Sequence, residues 1–215
     1  RGKAVVTPED VYAVARTNRL SKAVTVKASD LPEVGCTLGL GVAGFLGSCM
    51  EIEAAAYPAR ESGRGGLRFN EAAGQMARDS VFNAGSVIRR LLDKDLTDYD
   101  IHVNVVGGGN VDGPSAGLAV VLALVSAVEN LPMPQNIAMT GEVSIQGKVK
   151  PVGGIPEKIY GAIQSGMKGV ILPAANLHDV PTQRESLEVI AVSTVLEALE
   201  FLWPERPWAR PLATV

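Results

Sequence analysis

A serine and a lysine in two glycine-rich segments are the residues whose types and spacing suggest chemistry. Ser115 lies in Gly113–Gly117, directly before a long uncharged segment, and Lys158 lies in Gly153–Lys158. A serine hydroxyl is a poor nucleophile until a base removes its proton. Lysine acts as that base only when burial or nearby positive potential lowers its pKa. Together the two segments therefore predict a serine nucleophile activated by a lysine base.

Ser115 is predicted to lie where a loop enters a helix. Backbone N–H groups at a helix start lack partners within the helix, and the helix dipole adds positive potential there. Such groups can hold the oxyanion of a tetrahedral intermediate, so we expect the oxyanion loop at Gly113, Pro114 and Ala116. Without the lysine, a serine at this position would be interpreted as a helix cap.

Lys158 is predicted in the first turn of a helix that Pro156 opens and Gly166 closes after Ser165. The apolar spacing of this helix places Lys158 at the edge of its buried face. Partial burial and the positive helix end both lower the pKa of the amine toward the range of a general base. A lysine with this pattern alone is more often a surface residue with a buried stem.

Strands alternate with helices in the second half of the chain, which predicts a mixed α/β (α+β) fold with helices packed on a mixed sheet. A glycine-rich hairpin over residues 36–56 is expected to turn near Phe45, with Cys36 opposite about Ala55 and the second strand ending at Ala54. The other predicted elements are helices at 8–16, 71–92 (capped by Asn70), 115–128, 156–165 and 194–202, and strands at 101–106, 137–140, 143–149, 169–172 and 187–192.

Composition excludes several classes of function. A net charge of −3 over 215 residues gives no reason to expect a nucleic-acid partner or an anionic membrane surface. The uncharged run at residues 113–128 is shorter than the roughly 20 residues that span a bilayer, so it predicts a buried helix. Cys36 and Cys49 are expected to be buried, reduced thiols of a cytoplasmic protein. His102 and His178 are the two histidines, and no Cys/His cluster has the spacing of metal ligands.

The spacing Gly113-x-Ser115-x-Gly117 also matches the nucleophile elbow of α/β-hydrolases. That arrangement requires a strand that runs directly into the turn, followed by an acid and a histidine further along the chain. His178 is the downstream histidine, and it lies in a polar segment. A serine–histidine esterase is therefore an alternative interpretation of the same motif.

Three blocks of sequence together resemble the proteolytic domain of the Lon protease family. They are Asp112–Gly117, Thr140–Val143 and Pro151–Lys158, and the resemblance extends over roughly residues 35–203. It implies that Ser115 is the nucleophile and Lys158 the general base. By the same match, Thr140 would hydrogen-bond the lysine amine, and Asp112 would lie beside the pair and tune it. The function implied is a serine endopeptidase with a Ser-Lys dyad that degrades unfolded or damaged proteins.

Two further positions follow from the same resemblance. His102 aligns with a family histidine on the strand before the loop, but Asn104 stands where bacterial members usually carry a second histidine. Glu53 lies in a matching strand end near the site. These residues are expected to support the dyad.

The resemblance also implies a domain organisation and an assembly. Residues 1–20 would be the end of a preceding AAA+-like module, 21–203 the proteolytic domain and 204–215 a loose, proline-rich tail. Subunits would form a hexameric ring in the cytoplasm. The sequence contains no Walker motif, so no cofactor is expected in this chain, and ATP and Mg²⁺ would act only through the preceding module. A non-catalytic assembly or regulatory domain of the same fold is the alternative from a different functional class.

Overall fold

The computed structural model describes residues 5, 7, 26–43, 46–70, 75–106, 113–184 and 186–208, without the side chains of residues 43 and 75–77. The predicted helix over residues 8–16, the predicted helix start at residue 71 and the role predicted for Asp112 lie outside these residues. Within them, no helix is both long enough and apolar enough to cross a membrane.

A seven-stranded mixed sheet forms the centre of the fold, with the strand order β11-β10-β7-β2-β3-β5-β4. The pairs β2–β3 and β3–β5 are antiparallel, and the remaining neighbours are parallel. The described strands are β1 (Glu33–Val34), β2 (Cys36–Ala43), β3 (Leu46–Pro58), β4 (Leu67–Phe69), β5 (Tyr99–Val106), β6 (Pro132–Met133), β7 (Ile137–Met139), β8 (Glu142–Val143), β9 (Val149–Lys150), β10 (Gly169–Pro173) and β11 (Glu188–Val192).

Helices cover both faces of this sheet, which confirms the predicted mixed α/β fold. The described α-helices are α1 (Gln75–Leu92), α2 (Gly117–Glu129), α3 (Ile155–Gln164) and α4 (Val195–Leu202), with 3₁₀ turns at Leu96–Asp98, Pro114–Ala116 and Ala174–Asp179. One core joins α1, α2 and α4 to side chains such as Ile52 and Val103. A second core joins α3 to Leu38, Leu40 and Val170 on the opposite face.

Helix α2 is the most deeply buried element. Its residues from Gly117 to Ser126 are all buried, as its uncharged sequence predicts. Strand β5 also shows the predicted alternation, with Ile101, Val103 and Val105 in the core and His102 exposed. In β5 the alternation matches the geometry of a strand and predicts its buried face, whereas in α2 the lack of charge on every side predicts burial all round.

The N-terminal hairpin differs from its predicted register. Ala43 pairs with Leu46, which places Cys36 opposite Glu53 instead of Ala55. Strand β3 continues past Ala54 to Pro58, because its second half pairs with β5 up to the contact between Pro58 and Tyr99. The predicted strand end was wrong because local sequence does not reveal that a second neighbour extends the strand.

Two further predictions are corrected at the C-terminal half. The segment predicted as one strand from Val143 to Val149 is a small hairpin of β8 and β9 with a turn between them. The segment that follows α4 was predicted to be loose, but as far as residue 208 it packs on the domain. Trp208 is buried in the first core, and the indole N–H of Trp203 donates to the carbonyl of Pro132. Apolar burial of the two indoles holds this segment against the domain.

Candidate active site

A cavity of about 540 Å³ contains both Ser115 and Lys158 in its lining. The walls come from the end of β2, the turn before α2, the start of β8 and the loop that leads into α3. The lining residues are Val42, Pro114, Ser115, Glu142, Pro151, Val152, Gly153, Gly154, Glu157 and Lys158. The fold therefore brings the two glycine-rich segments of the sequence together at one opening.

Ser115 lies in the 3₁₀ turn Pro114–Ala116 and not in the α-helix itself. Gly113 precedes the turn in an extended conformation, and Pro114 occupies the first position of the turn, where its fixed φ suits a helical start. The backbone carbonyl of Ser115 accepts a hydrogen bond from the N–H of Gly141 at 2.9 Å. The backbone on both sides of the serine is thus held in place, while its side chain reaches the cavity.

Gly117 allows this turn to approach the β8 segment closely. A Cβ atom at position 117 would lie 3.0 Å from the backbone nitrogen of Val143. The carbonyl of Gly141 accepts a hydrogen bond from the N–H of Leu118 at 2.9 Å, next to the bond from Gly141 to Ser115. Two backbone hydrogen bonds therefore lock the start of α2 against the segment that carries Thr140.

Lys158 lies in the first turn of α3 and is only 3% exposed. Its Nζ donates a hydrogen bond to Oγ1 of Thr140 at 3.0 Å, and that hydroxyl in turn donates to the carbonyl of Ser115 at 3.3 Å. Thr140 is fully buried. The hydroxyl of Thr140 thus connects the lysine amine to the backbone of the serine.

Burial lowers the pKa of Lys158 to about 8. Removal of an ammonium group from water disfavours its charged form, and among the described residues no carboxylate forms an ion pair with it. A lysine with such a pKa is partly neutral near physiological pH. The amine can therefore accept a proton at a pH where a surface lysine remains charged.

A glycine pair that the sequence analysis did not identify sets the position of α3. A Cβ atom at Gly47 of β3 would lie 1.7 Å from the carbonyl oxygen of Glu157, and one at Gly161 would lie 2.5 Å from the carbonyl carbon of Gly47. The hairpin therefore packs backbone to backbone against the helix that carries Lys158. Gly161 in the middle of a helix was the available signal, since glycine costs helix stability unless a close approach requires it.

Other predicted positions do not reach the cavity. Glu53 accepts a hydrogen bond from the side-chain amide of Asn104 at 2.6 Å, and His102 is exposed on β5. The described lining of the cavity includes neither Glu53 nor His102. His178 also lies outside that lining, on an exposed turn beside Asp179. The serine–histidine alternative therefore lacks a histidine at the described serine.

The cysteines provide no chemistry at this site. Cys36 and Cys49 are both buried and free. Burial raises the pKa of Cys36 to about 12 and also raises the pKa of Cys49, so both stay protonated and unreactive. In the described part of the chain, no group of three or more His, Cys, Asp or Glu side chains has the geometry to hold a metal ion.

Comparison with known proteins gives a match to the family described as the Lon protease (S16) C-terminal proteolytic domain, over residues 7–204. Lon protease 2 of Bacillus subtilis is 38% identical over 208 residues, which cover 91% of this chain and 38% of that protein. Archaeal Lon protease of Pyrococcus abyssi is 37% identical over 217 residues, which cover 93% of this chain and 22% of the relative. The chain thus spans well under half the length of these two relatives.

Proposed function

Since the chain belongs to the Lon protease (S16) family and matches its C-terminal proteolytic domain, we propose that it hydrolyses peptide bonds with a Ser115–Lys158 dyad. The observation that carries this proposal is that an almost fully buried lysine lines the same cavity as a serine in the turn before α2. The burial lowers the pKa of the amine into the range of a base, and Thr140 orients it.

In the proposed reaction, neutral Lys158 takes the proton from Oγ of Ser115 as the oxygen attacks the scissile carbonyl carbon. The tetrahedral intermediate collapses to an acyl-enzyme, and the lysine passes its proton to the leaving amine. Water then attacks the ester with the lysine again as base, which releases the carboxylate product and regenerates the serine. Lys158 thus carries a proton in both halves of the reaction, from Ser115 to the leaving amine in the first and from water to Ser115 in the second.

The oxyanion of the intermediate would be held by backbone N–H groups around Ser115, with Gly113, Pro114 and Ala116 shaping the loop. The structure gives no side-chain cap to the start of α2. The N–H of Leu118 at this helix start already donates to the carbonyl of Gly141. The N–H groups for the oxyanion would therefore come from the turn that carries Ser115, where the helix start adds positive potential. This supports oxyanion binding at the same point of the chain that carries the nucleophile.

Strand β2 suggests how an extended peptide would bind. Strand β7 pairs with β2 only at Leu38 and Gly39, so the edge of β2 that faces β7 has no described strand partner from Leu40 onward. Val42 on this stretch lines the cavity. A substrate that adds a strand to this edge would bring its backbone to Ser115, and such binding requires an unfolded segment.

The wider context extends the proposal. We propose that the chain works within a larger Lon or Lon-like protease that degrades unfolded or damaged proteins in the cytoplasm, assembled as a hexameric ring. ATP and Mg²⁺ would act through a preceding AAA+ module and not through this chain. Asp112, Glu53 and His102 are proposed as supporting residues.

The dyad is tested with Ser115→Ala and Lys158→Ala on an unfolded protein such as casein, with His178→Ala as the matched control. We expect both dyad variants to lose cleavage and the histidine variant to keep it. A peptide boronate should form an adduct at Ser115 of the wild-type chain. Near-normal cleavage by either dyad variant would refute the mechanism, and failure of the boronate to react would favour a non-catalytic domain.

A further inference from the structure

Two carboxylates, Glu142 and Glu157, line the cavity that contains Ser115 and Lys158. Glu142 is exposed at the start of β8, and Glu157 is partly buried in the first turn of α3. They come from different elements and enter the cavity from different walls. The mechanism proposed above uses neither of them.

Neither carboxylate forms an ion pair within the described part of the chain. Lys150 is the backbone neighbour of Glu142 across the β8–β9 hairpin. It is exposed and lies outside the described lining. The lysine in the lining, Lys158, directs its amine to Thr140 and must be neutral to act as a base. In the reactive form, in which Lys158 is neutral, the two carboxylates give the cavity a negative potential.

Glu157 lies close to the edge of β2 that we propose for the substrate. A Cβ atom at Gly154 would contact both Oε2 of Glu157, at 3.7 Å, and Cγ2 of Val42, at 2.8 Å. Glu142 lies on the other wall, where its Cα is 3.6 Å from the position of a Cβ atom at Gly117. A peptide bound along β2 to Ser115 would therefore pass beside both carboxylates.

We propose that Glu142 and Glu157 set a charge preference at this cavity, which favours peptides with a lysine or arginine side chain beside the scissile bond and disfavours those with aspartate or glutamate. This inference rests on the proposed function of the same cavity. A substrate carboxylate would be repelled by the two glutamates, whereas a basic side chain would be attracted to them. Discrimination therefore comes from repulsion as well as attraction.

The test compares quenched-fluorescence peptides of one sequence that carry Lys, Gln or Glu at each of the three positions on either side of the scissile bond. We expect kcat/KM to be about tenfold higher for Lys than for Glu at the most sensitive position, as two partly exposed charge pairs predict. The ratio should fall toward one in Glu142→Gln/Glu157→Gln and in high salt. Glu200→Gln, an exposed glutamate on α4 outside the lining, is the matched control and should leave the ratio unchanged.

The outcomes separate the two proposals. If Ser115 forms the boronate adduct and the peptides are cleaved with no difference between Lys and Glu, the charge preference is wrong and the dyad stands. A preference that survives in the double glutamine variant also contradicts the inference. If no peptide is cleaved and no adduct forms at Ser115, the proposed function and the charge preference both fail.

Discussion

The helix starts at the cavity and the start of α4 are built differently. Helices α2 and α3 begin without a side-chain cap, with Pro114 in the turn before α2 and Pro156 as the second residue of α3. Helix α4 begins with a reciprocal cap, in which Oγ1 of Thr194 accepts from the N–H of Glu197 at 3.2 Å and the carboxylate of Glu197 accepts from the N–H of Ser193 at 2.7 Å. The reciprocal cap stabilises the start of α4, whereas the helix starts at the cavity lack such a cap, as the proposed binding of an oxyanion there requires.

The same contrast holds for charge. Lys158 is buried at the cavity and forms no ion pair with a described residue, whereas Lys168 at the surface pairs with Asp30 at 2.7 Å. Burial of an unpaired ammonium reduces the free energy of unfolding, and it also lowers the pKa of the group. The cavity thus combines two features, uncapped helix starts and a buried amine, that reduce stability and support the proposed reaction.

The largest expected effect comes from Ser115→Ala. We expect cleavage to fall by about 10⁴-fold or more, because loss of a nucleophile removes the covalent route. The free energy of unfolding should change by less than about 0.5 kcal/mol, since Ser115 makes no cap. Initial rates of casein cleavage measure the loss of activity, and urea denaturation measures the change in the free energy of unfolding. A loss of stability comparable to that of a capping variant would show that the serine has a structural role.

Lys158→Met should reduce cleavage by about 10²- to 10⁴-fold and raise stability. Since burial holds the pKa of Lys158 at about 8 instead of 10.5, the buried ammonium destabilises the folded chain below pH 8. Removal of the charge should stabilise the fold at pH 7 by up to about 3 kcal/mol, the equivalent of this shift. Urea denaturation at pH 7 measures the difference, and a variant less stable than wild type would contradict it.

The pH dependence of stability and of cleavage gives a second test of the buried Lys158. Below pH 8 the amine is protonated in the folded and unfolded chains, and the cost of burial is fully present. Between about pH 8 and 10.5 the folded chain has released the proton and the unfolded chain has not, so the stability contribution of this group rises with pH. Lys158→Met should lack that rise, and wild-type kcat/KM should reach half its maximum near pH 8.

Gly47→Ala tests the contact that positions α3. The added methyl group would collide with the carbonyl of Glu157, and we expect a loss of about 2 to 3 kcal/mol of stability with reduced cleavage. Gly66→Ala is the control, because its nearest neighbour would lie 3.5 Å from the new Cβ atom. Thermal melts and casein cleavage report both effects. Equal stability of the two variants would argue against the close packing of hairpin and helix.

The smallest expected effect is that of Thr194→Ala at the start of α4. Loss of the cap should destabilise the fold by about 1 kcal/mol and leave the rate of casein cleavage unchanged. This is the opposite profile to Ser115→Ala. A matched fall in activity would mean that the start of α4 is coupled to the cavity, and the comparison between the helix starts would then no longer hold.

Local sequence predicted those parts of the fold whose signal lies within one element. The uncharged sequence of α2 up to Val128 predicts its burial. Alternation in β5 predicts its inner face, because the period of two matches the geometry of a strand. The hairpin register escaped prediction because the turn lies at Ala43–Leu46 and because pairing with β5 extends β3 to Pro58. The pairing with β5 depends on a neighbour that is distant in the sequence, and a shift in the position of the turn changes the register of every pair in the hairpin.

The sequence by itself predicted the reactive groups, a serine nucleophile at Ser115 before an apolar helix and a lysine base at Lys158 after glycine and proline. Only the tertiary structure decided that Lys158 is buried and not at the edge of its helix face, because the hairpin glycine at position 47 lets β3 press against α3. It also decided that Glu142 and Glu157 share the cavity. Burial and shared charge are sums over long-range contacts, and no local pattern contains them.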